Sequence, residues 1–286
     1  MSNPSEAPTA PITSLVYDLD RLAADVMVDW KVPGAALAAV QDGKIVLTRA
    51  YGQRDVEASL PVTPATQFAI GSITKSFTAT ALALLHHEGR LDWRKPVRDY
   101  IPEFRLSDPV ATGRITVLDL LCHRTGLPRH DWVHEPGDRT PAEMLAVMRY
   151  LELSHDVRTA FQYNNLCYNV AGLLIERLSG QSYEAFIRAR LTDRLGMTVG
   201  FSLDDLDASK EPARPYMMHD DTRLPALRLP IRTTASGAMT TSVADFASWM
   251  RLHLGNGELD GERLLPARCR ILASALPSSP TAVQTA

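Results

Sequence analysis

One stretch constrains the chain more than any other: Phe68-Ala69-Ile70-Gly71-Ser72-Ile73-Thr74-Lys75-Ser76-Phe77. A short apolar run enters a glycine, and a long amphipathic pattern leaves it. The pattern predicts a helix from Ser72 through Leu82, Leu84 and Leu85, stopped by Gly89. Residues three apart share a helix face, so Ser72 and Lys75 stand side by side in its first turn. There the backbone N–H groups lack intrahelical partners and the helix dipole favours negative charge. A hydroxyl, an amine and an anion-stabilising end are thereby placed together. A capping serine and a solvated lysine would satisfy the same spacing.

The elements around this stretch alternate in type. Leu15, Leu19, Leu22, Val26 and Met27 recur at helical spacing up to Trp30, and Pro33-Gly34 ends that run. Ala35 to Val40 and Ile45 to Tyr51 flank Asp42-Gly43, a strong hairpin signal. Capped helices follow at Thr116, at Thr140-Pro141-Ala142-Glu143, near Leu166 and at Ser182. Residues 200–235 carry little periodicity, and a last helix opens at Ser242. The expected organisation is an α/β (α+β) fold, an antiparallel sheet flanked by helices plus a mostly helical subdomain. Residues 12–88 and 236–271 form the α/β part and 89–235 the mainly helical part. Residues 1–11 are expected as a disordered lead-in and 272–286 as a disordered tail.

Composition narrows the function classes. The chain of 286 residues is 45% hydrophobic with a net charge of −3, so nothing in its charge calls for nucleic acid or an anionic membrane surface. No apolar run reaches the roughly 20 residues of a membrane span. The N-terminus lacks a basic region followed by an apolar one, which points to a cytoplasmic protein. Cys122, Cys167 and Cys269 are dispersed and odd in number, and are read as reduced thiols. No Cys/His spacing suggests a metal site.

A second element bears on Ser72. Tyr163 and Asn165 lie two apart on an extended linker and so face the same way, just before a helix. A tyrosinate beside a lysine ammonium can act as a general base, and Asn165 can orient the lysine or meet a substrate amide or ester. An N-cap asparagine beside a half-buried tyrosine would read the same. His123 and His130-Asp131 fall in a loop bordering this region. A Ser–His–Asp triad is disfavoured because Ser72 already has a lysine neighbour. Tyr168 and Asn169 read as helix packing and a helix-surface polar residue.

Ser72-x-x-Lys75 followed by Tyr163-x-Asn165 resembles the penicillin-recognising serine hydrolases: class C β-lactamases, D-alanyl-D-alanine carboxypeptidases and related esterases. The Leu120–Pro128 stretch and Gly237-Ala238-Met239 leading to Asp245 agree with it. The resemblance implies that Ser72 is the nucleophile, acylated by an ester, amide or β-lactam. Lys75 and Tyr163 share proton transfer, Asn165 contacts substrate, and the Ser72 backbone N–H supplies part of an oxyanion hole. It implies a small-molecule or peptide-like substrate and no metal or cofactor.

The family's third motif, Lys or His followed by x-Gly or Gly-Gly, is not found. The His-x-Gly that follows Tyr163-x-Asn165 is His253-Leu254-Gly255, which reads as an exposed helix-end histidine with a capping glycine. The resemblance therefore implies a chain lacking the family's C-terminal part, with an incomplete sheet and an unpaired edge along Ala35 to Val40. The alternative function is a catalytically impaired homologue that binds a ligand or partner.

Overall fold

A computed structural model describes residues 12–133, 139–226 and 234–266. The expected lead-in, the expected tail and Cys269 lie outside the described residues, as does the 271 domain limit.

Helix α1 (Ile12–Asp29) precedes strands β1 (Gly34–Gln41), β2 (Lys44–Asp55) and β3 (Leu60–Pro61), which form one antiparallel sheet with β2 in the middle. Asp42 (φ 52°) and Gly43 (φ 72°) close the β1–β2 hairpin. Two consecutive positive φ angles match the right-handed twist of the strands they join. The hairpin rests on helices at both ends of the chain. Tyr51 donates to Asp20 of α1 at 2.7 Å, and Arg251 donates to the Gly43 carbonyl at 2.6 Å.

Strand β4 (Gln67–Ala69) leads through a tight 3₁₀ turn, Gly71–Ile73, into α2 (Thr74–His87). The helix predicted from Ser72 thus begins two residues later, and Ser72 sits in the turn that feeds it. Short helices α3 (Pro109–Arg114), α4 (Val117–Leu121) and α5 (Pro141–Val147) follow, each entered through a side-chain cap: Asp108, Thr116 and Thr140. The long α6 (Asn165–Ser179) runs to Gly180, whose φ of 75° ends it. Next come α7 (Tyr183–Ile187), a π turn at Arg188–Thr192, β5 (Val199–Gly200) and α8 (Leu203–Asp207). The core is shared by α2, α4 and α6 and includes Phe77, Leu82, Leu85, Leu120, Leu166 and Val170, all 1% exposed or less.

The 200–235 region is less irregular than its sequence suggests. Strands β6 (Tyr216–His219) and β7 (Thr222–Pro225) form a second hairpin. It leans on the α/β part: the Tyr216 hydroxyl accepts the Val56 N–H at 2.7 Å, and Arg214 pairs with Asp55 at 2.5 Å. Residues 212–226 therefore associate with the first sheet, although they were expected within the helical part.

The last elements are α9 (Thr234–Gly237), β8 (Thr240–Ser242), α10 (Val243–Leu254), β9 (Glu258–Leu259) and β10 (Glu262–Arg263). Strand β8 lies between β4 and β5. Helix α10 packs on β1 and β2. Among the described residues β1 pairs with β2 alone, and Leu22 and Val26 of α1 stay exposed. No helix among the described residues is long and apolar enough to cross a membrane.

Candidate active site

Three backbone segments converge on Ser72. The first is the β4–α2 junction. Ile70 donates to the Met239 carbonyl at 3.0 Å, and Gly71, at φ 52°, turns the chain into the 3₁₀ turn. The second is the N-terminus of α6. Asn164, fully buried, caps this helix by accepting the Cys167 N–H at 3.0 Å, while its amide donates to the Pro128 carbonyl at 2.6 Å. Capping by Asn164 releases Asn165, the first helical residue, to face α2. The third is α9, which runs close by the turn that carries Ser72.

The four residues singled out by sequence meet here. The Ser72 hydroxyl lies 2.6 Å from the Tyr163 hydroxyl and 3.0 Å from Lys75 Nζ. Lys75 also donates to Asn165 Oδ1 at 2.9 Å and to the Ser236 carbonyl at 2.6 Å. An amine nitrogen has three donors at most, and all three directions are used. Burial pushes the Lys75 pKa below its ordinary value, against the pull of the Tyr163 hydroxyl, with Arg129 adding to the lowering. The ammonium lies 4.8 Å from the centre of the Tyr163 ring.

Sequence reasoning missed two contributors. The Ser236 carbonyl is a backbone acceptor and leaves no side-chain signature. His123 was placed only near the region, yet it is buried, with its ring 4.5 Å from that of Tyr163 and 5.3 Å from that of Tyr168. Burial and the nearby Lys75 push its pKa down to about 4. The loop carrying it is pinned by Asp119, a fully buried carboxylate that accepts from Arg124 at 2.8 Å and from Arg158 at 2.8 Å. Burial alone would raise the Asp119 pKa, but the hydrogen bonds from Arg158, Thr116 and Arg124 hold it below the usual range.

The His130-Asp131 pair is split. His130 Nε2 faces the Glu152 carbonyl at 3.4 Å, whereas Asp131 takes Arg129 Nε at 2.6 Å and approaches the Asn165 amide at 3.5 Å. The Arg129 guanidinium lies 5.2 Å from the Tyr163 ring centre. No triad forms. Asn169 is buried rather than on the helix surface, with its amide 3.3 Å from Met144 Sδ. His253 is half-buried, not exposed: its ring sits 4.4 Å from Trp249 on α10. Packing on Trp249, stacked in turn on Phe77 at 3.9 Å, draws it inward.

The Beta-lactamase family model matches residues 19–282. The chain belongs to that family. It is 33% identical over 261 residues to the protein named unguisins hydrolase ungD of Aspergillus violaceofuscus, covering 85% of this chain and 46% of that one. It is 31% identical over 230 residues to Protein flp of Staphylococcus aureus, covering 78% and 46%. The chain thus spans about half the length of the curated relatives it matches. Among solved structures in this fold, the octameric penicillin-binding protein homologue from Pyrococcus abyssi superposes with a TM-score of 0.76 at 31% identity, covering 87% of this chain and 59% of that one. EstCE1, a hydrolase with promiscuous acyltransferase activity, shares the fold at a TM-score of 0.77 and 17% identity, covering 90% and 76%.

Proposed function

We propose that this chain is a serine hydrolase acting on an ester, amide or β-lactam through a covalent acyl-Ser72 intermediate. One observation carries the reading: the Ser72 hydroxyl stands within hydrogen-bond reach of two proton-transfer groups, Lys75 Nζ at 3.0 Å and Tyr163 OH at 2.6 Å. A neutral Lys75 amine has two N–H groups, and Asn165 Oδ1 and the Ser236 carbonyl take both. Its lone pair is then left for the Ser72 proton. Burial, which lowers the Lys75 pKa, favours this neutral form. Tyr163, whose hydroxyl also faces Lys75, passes a proton to the leaving atom. The Ser72 N–H, in the turn before α2, supplies an oxyanion donor, and Asn165 meets the substrate. The substrate is a small or peptide-like molecule carrying the scissile carbonyl, in keeping with the hydrolase named among the relatives.

A second reading is a homologue that binds a ligand or partner without turning it over. It draws on β1, which among the described residues is paired on one edge only. One experiment separates the two. A fluorophosphonate probe is expected to label the wild-type chain at Ser72 and to leave Ser72→Ala unlabelled, and a chromogenic ester is expected to turn over repeatedly. Equal labelling of Ser72→Ala would end the acyl-enzyme reading. Labelling with no ester turnover would select the second.

A further inference from the structure

His123 holds the Tyr163 segment from both flanks. Its carbonyl accepts the Gln162 N–H at 2.7 Å, and its ring Nδ1 lies 3.1 Å from the Asn164 backbone nitrogen. These are the residues immediately before and after Tyr163. The imidazole lies tilted at 35° against the Tyr163 ring between these two bonds, with the Phe161 ring edge-on at 5.5 Å. His123 itself has φ 55°, a left-handed conformation uncommon outside glycine and short polar residues. Its carbonyl and its ring both meet the same linker, residues 162–164.

We infer that His123 is a positioning residue for Tyr163, acting as a neutral acceptor that fixes the linker so that the phenol reaches Ser72. This rests on the Ser72 acylation reading above. The chemistry of the contact sets the tautomer. A backbone N–H can only donate, so Nδ1 must be bare and the ring proton must sit on Nε2. A protonated imidazole carries hydrogens on both nitrogens and would press N–H against N–H at Asn164. The surroundings oppose that state. The groups packed against the ring are Phe161 and Tyr163 from the linker and Tyr168 from α6, and the charge felt there is the Lys75 amine of α2. No carboxylate is among them. The depressed pKa of His123, about 4, agrees with an acceptor that stays uncharged near neutrality.

The test compares two variants that both tolerate the left-handed backbone, His123→Asn and His123→Gly. Asparagine keeps an acceptor oxygen close to the place of Nδ1, and glycine keeps none. With the fluorophosphonate probe, His123→Gly is expected to lose about 10²-fold in the rate of Ser72 labelling, the scale of a misplaced catalytic group. His123→Asn is expected to retain most of the rate. In a Tyr163→Phe background the further loss from His123→Gly should vanish, because a residue that acts through Tyr163 has nothing left to position. Three results would each overturn the inference: unchanged labelling of His123→Gly, His123→Asn as slow as His123→Gly, or losses that multiply in the double variant. Should the wild type show no labelling, the acylation reading fails on its own. Histidine ¹⁵N resonances of the folded protein still decide the contact: an unprotonated Nδ1 at pH 7 upholds it, and a protonated Nδ1 overturns it.

Discussion

The wall of the site built from α6 and its preceding loops differs in kind from the β1–β2 hairpin beside it. The wall is tied together by residues far apart in sequence: His123 to Asn164, Asp119 to Arg158, Lys75 to Ser236. Its polar groups are largely buried, and several of them hold one another in place. The hairpin's own pairing is local, although Tyr51 and the Gly43 carbonyl reach α1 and α10. A two-residue turn sets its register, its strands are half-exposed, and β1 has a partner on one side. Ser72, Lys75 and Tyr163 lie in the part held by long-range ties, where polar groups are taken out of water and fixed in direction. The difference predicts that damage in the wall is felt widely, while damage in the hairpin stays near where it is made.

The largest effect should come from Asp119→Ala. It removes a fully buried carboxylate from between two arginines and frees the loop that carries His123. Loss of one partner of a buried pair costs about 3–5 kcal/mol, and half-exposed arginines place the expected value at the lower end. Urea unfolding measures it, and labelling of Ser72 should fall as well. Unchanged stability would break the comparison.

Acidification is the next lever. His123 binds its proton less readily when folded, at about 4, than the ordinary imidazole at about 6.5. Between those values the unfolded chain holds more protons, so stability falls as pH falls from about 6.5 and the loss is complete below about 4. The full term is on the order of 3 kcal/mol. Melting temperatures of wild type and His123→Asn across this range should converge toward the acid end. Asp119, whose folded pKa is lowered, contributes stability above its unfolded pKa that fades as pH drops further.

A smaller effect tests how α9 is held. A Cβ added at Gly172 on α6 would lie 2.6 Å from the Ala235 Cβ, so one helix must move. Gly172→Ala is expected to cost about 1–3 kcal/mol by overpacking. It should also slow Ser72 labelling, because Ser236, the next residue of α9, accepts from Lys75. The smallest change belongs to the hairpin. A Cβ at Gly43 meets open space, but φ is 72° there, so Gly43→Ala should cost about 1 kcal/mol by backbone strain alone, with labelling unaltered. Slower labelling of Gly43→Ala would show that the two regions are coupled.

What could be read from sequence follows the same divide. The hairpin turn, the capped helices and the Ser72–Lys75 face depend on residues within a turn of one another, and local spacing carries them. Tyr163 and Asn165 were legible as a pair facing one way, and their link to Ser72 came from the resemblance, since 91 residues separate Tyr163 from Ser72. His123 was indistinct because its role depends on a left-handed backbone that histidine does not announce. The β6–β7 hairpin went unread for a related reason. Its turn, Asp220-Asp221, lacks glycine although Asp220 has φ 51°, and of its strands β6 alternates only between half-buried and exposed while β7 is exposed throughout. Asn169 occupies a helix position that a polar residue usually gives to water, and the neighbouring α5, whose Met144 Sδ meets its amide, helps to bury it.

The Ser236 carbonyl has a consequence for how this site would look to genetics. An acceptor made of backbone survives every replacement of its own side chain, so a saturation scan at position 236 reports the space around a buried serine and says nothing of the bond to Lys75. A position whose own side chain bears on that bond is 172 on α6, where Gly172 packs against Ala235, the residue before Ser236. A map of sensitive positions would therefore mark 172 for a bond that position 236 makes with its main chain, and that displacement would be a signature of a main-chain group at work in the site.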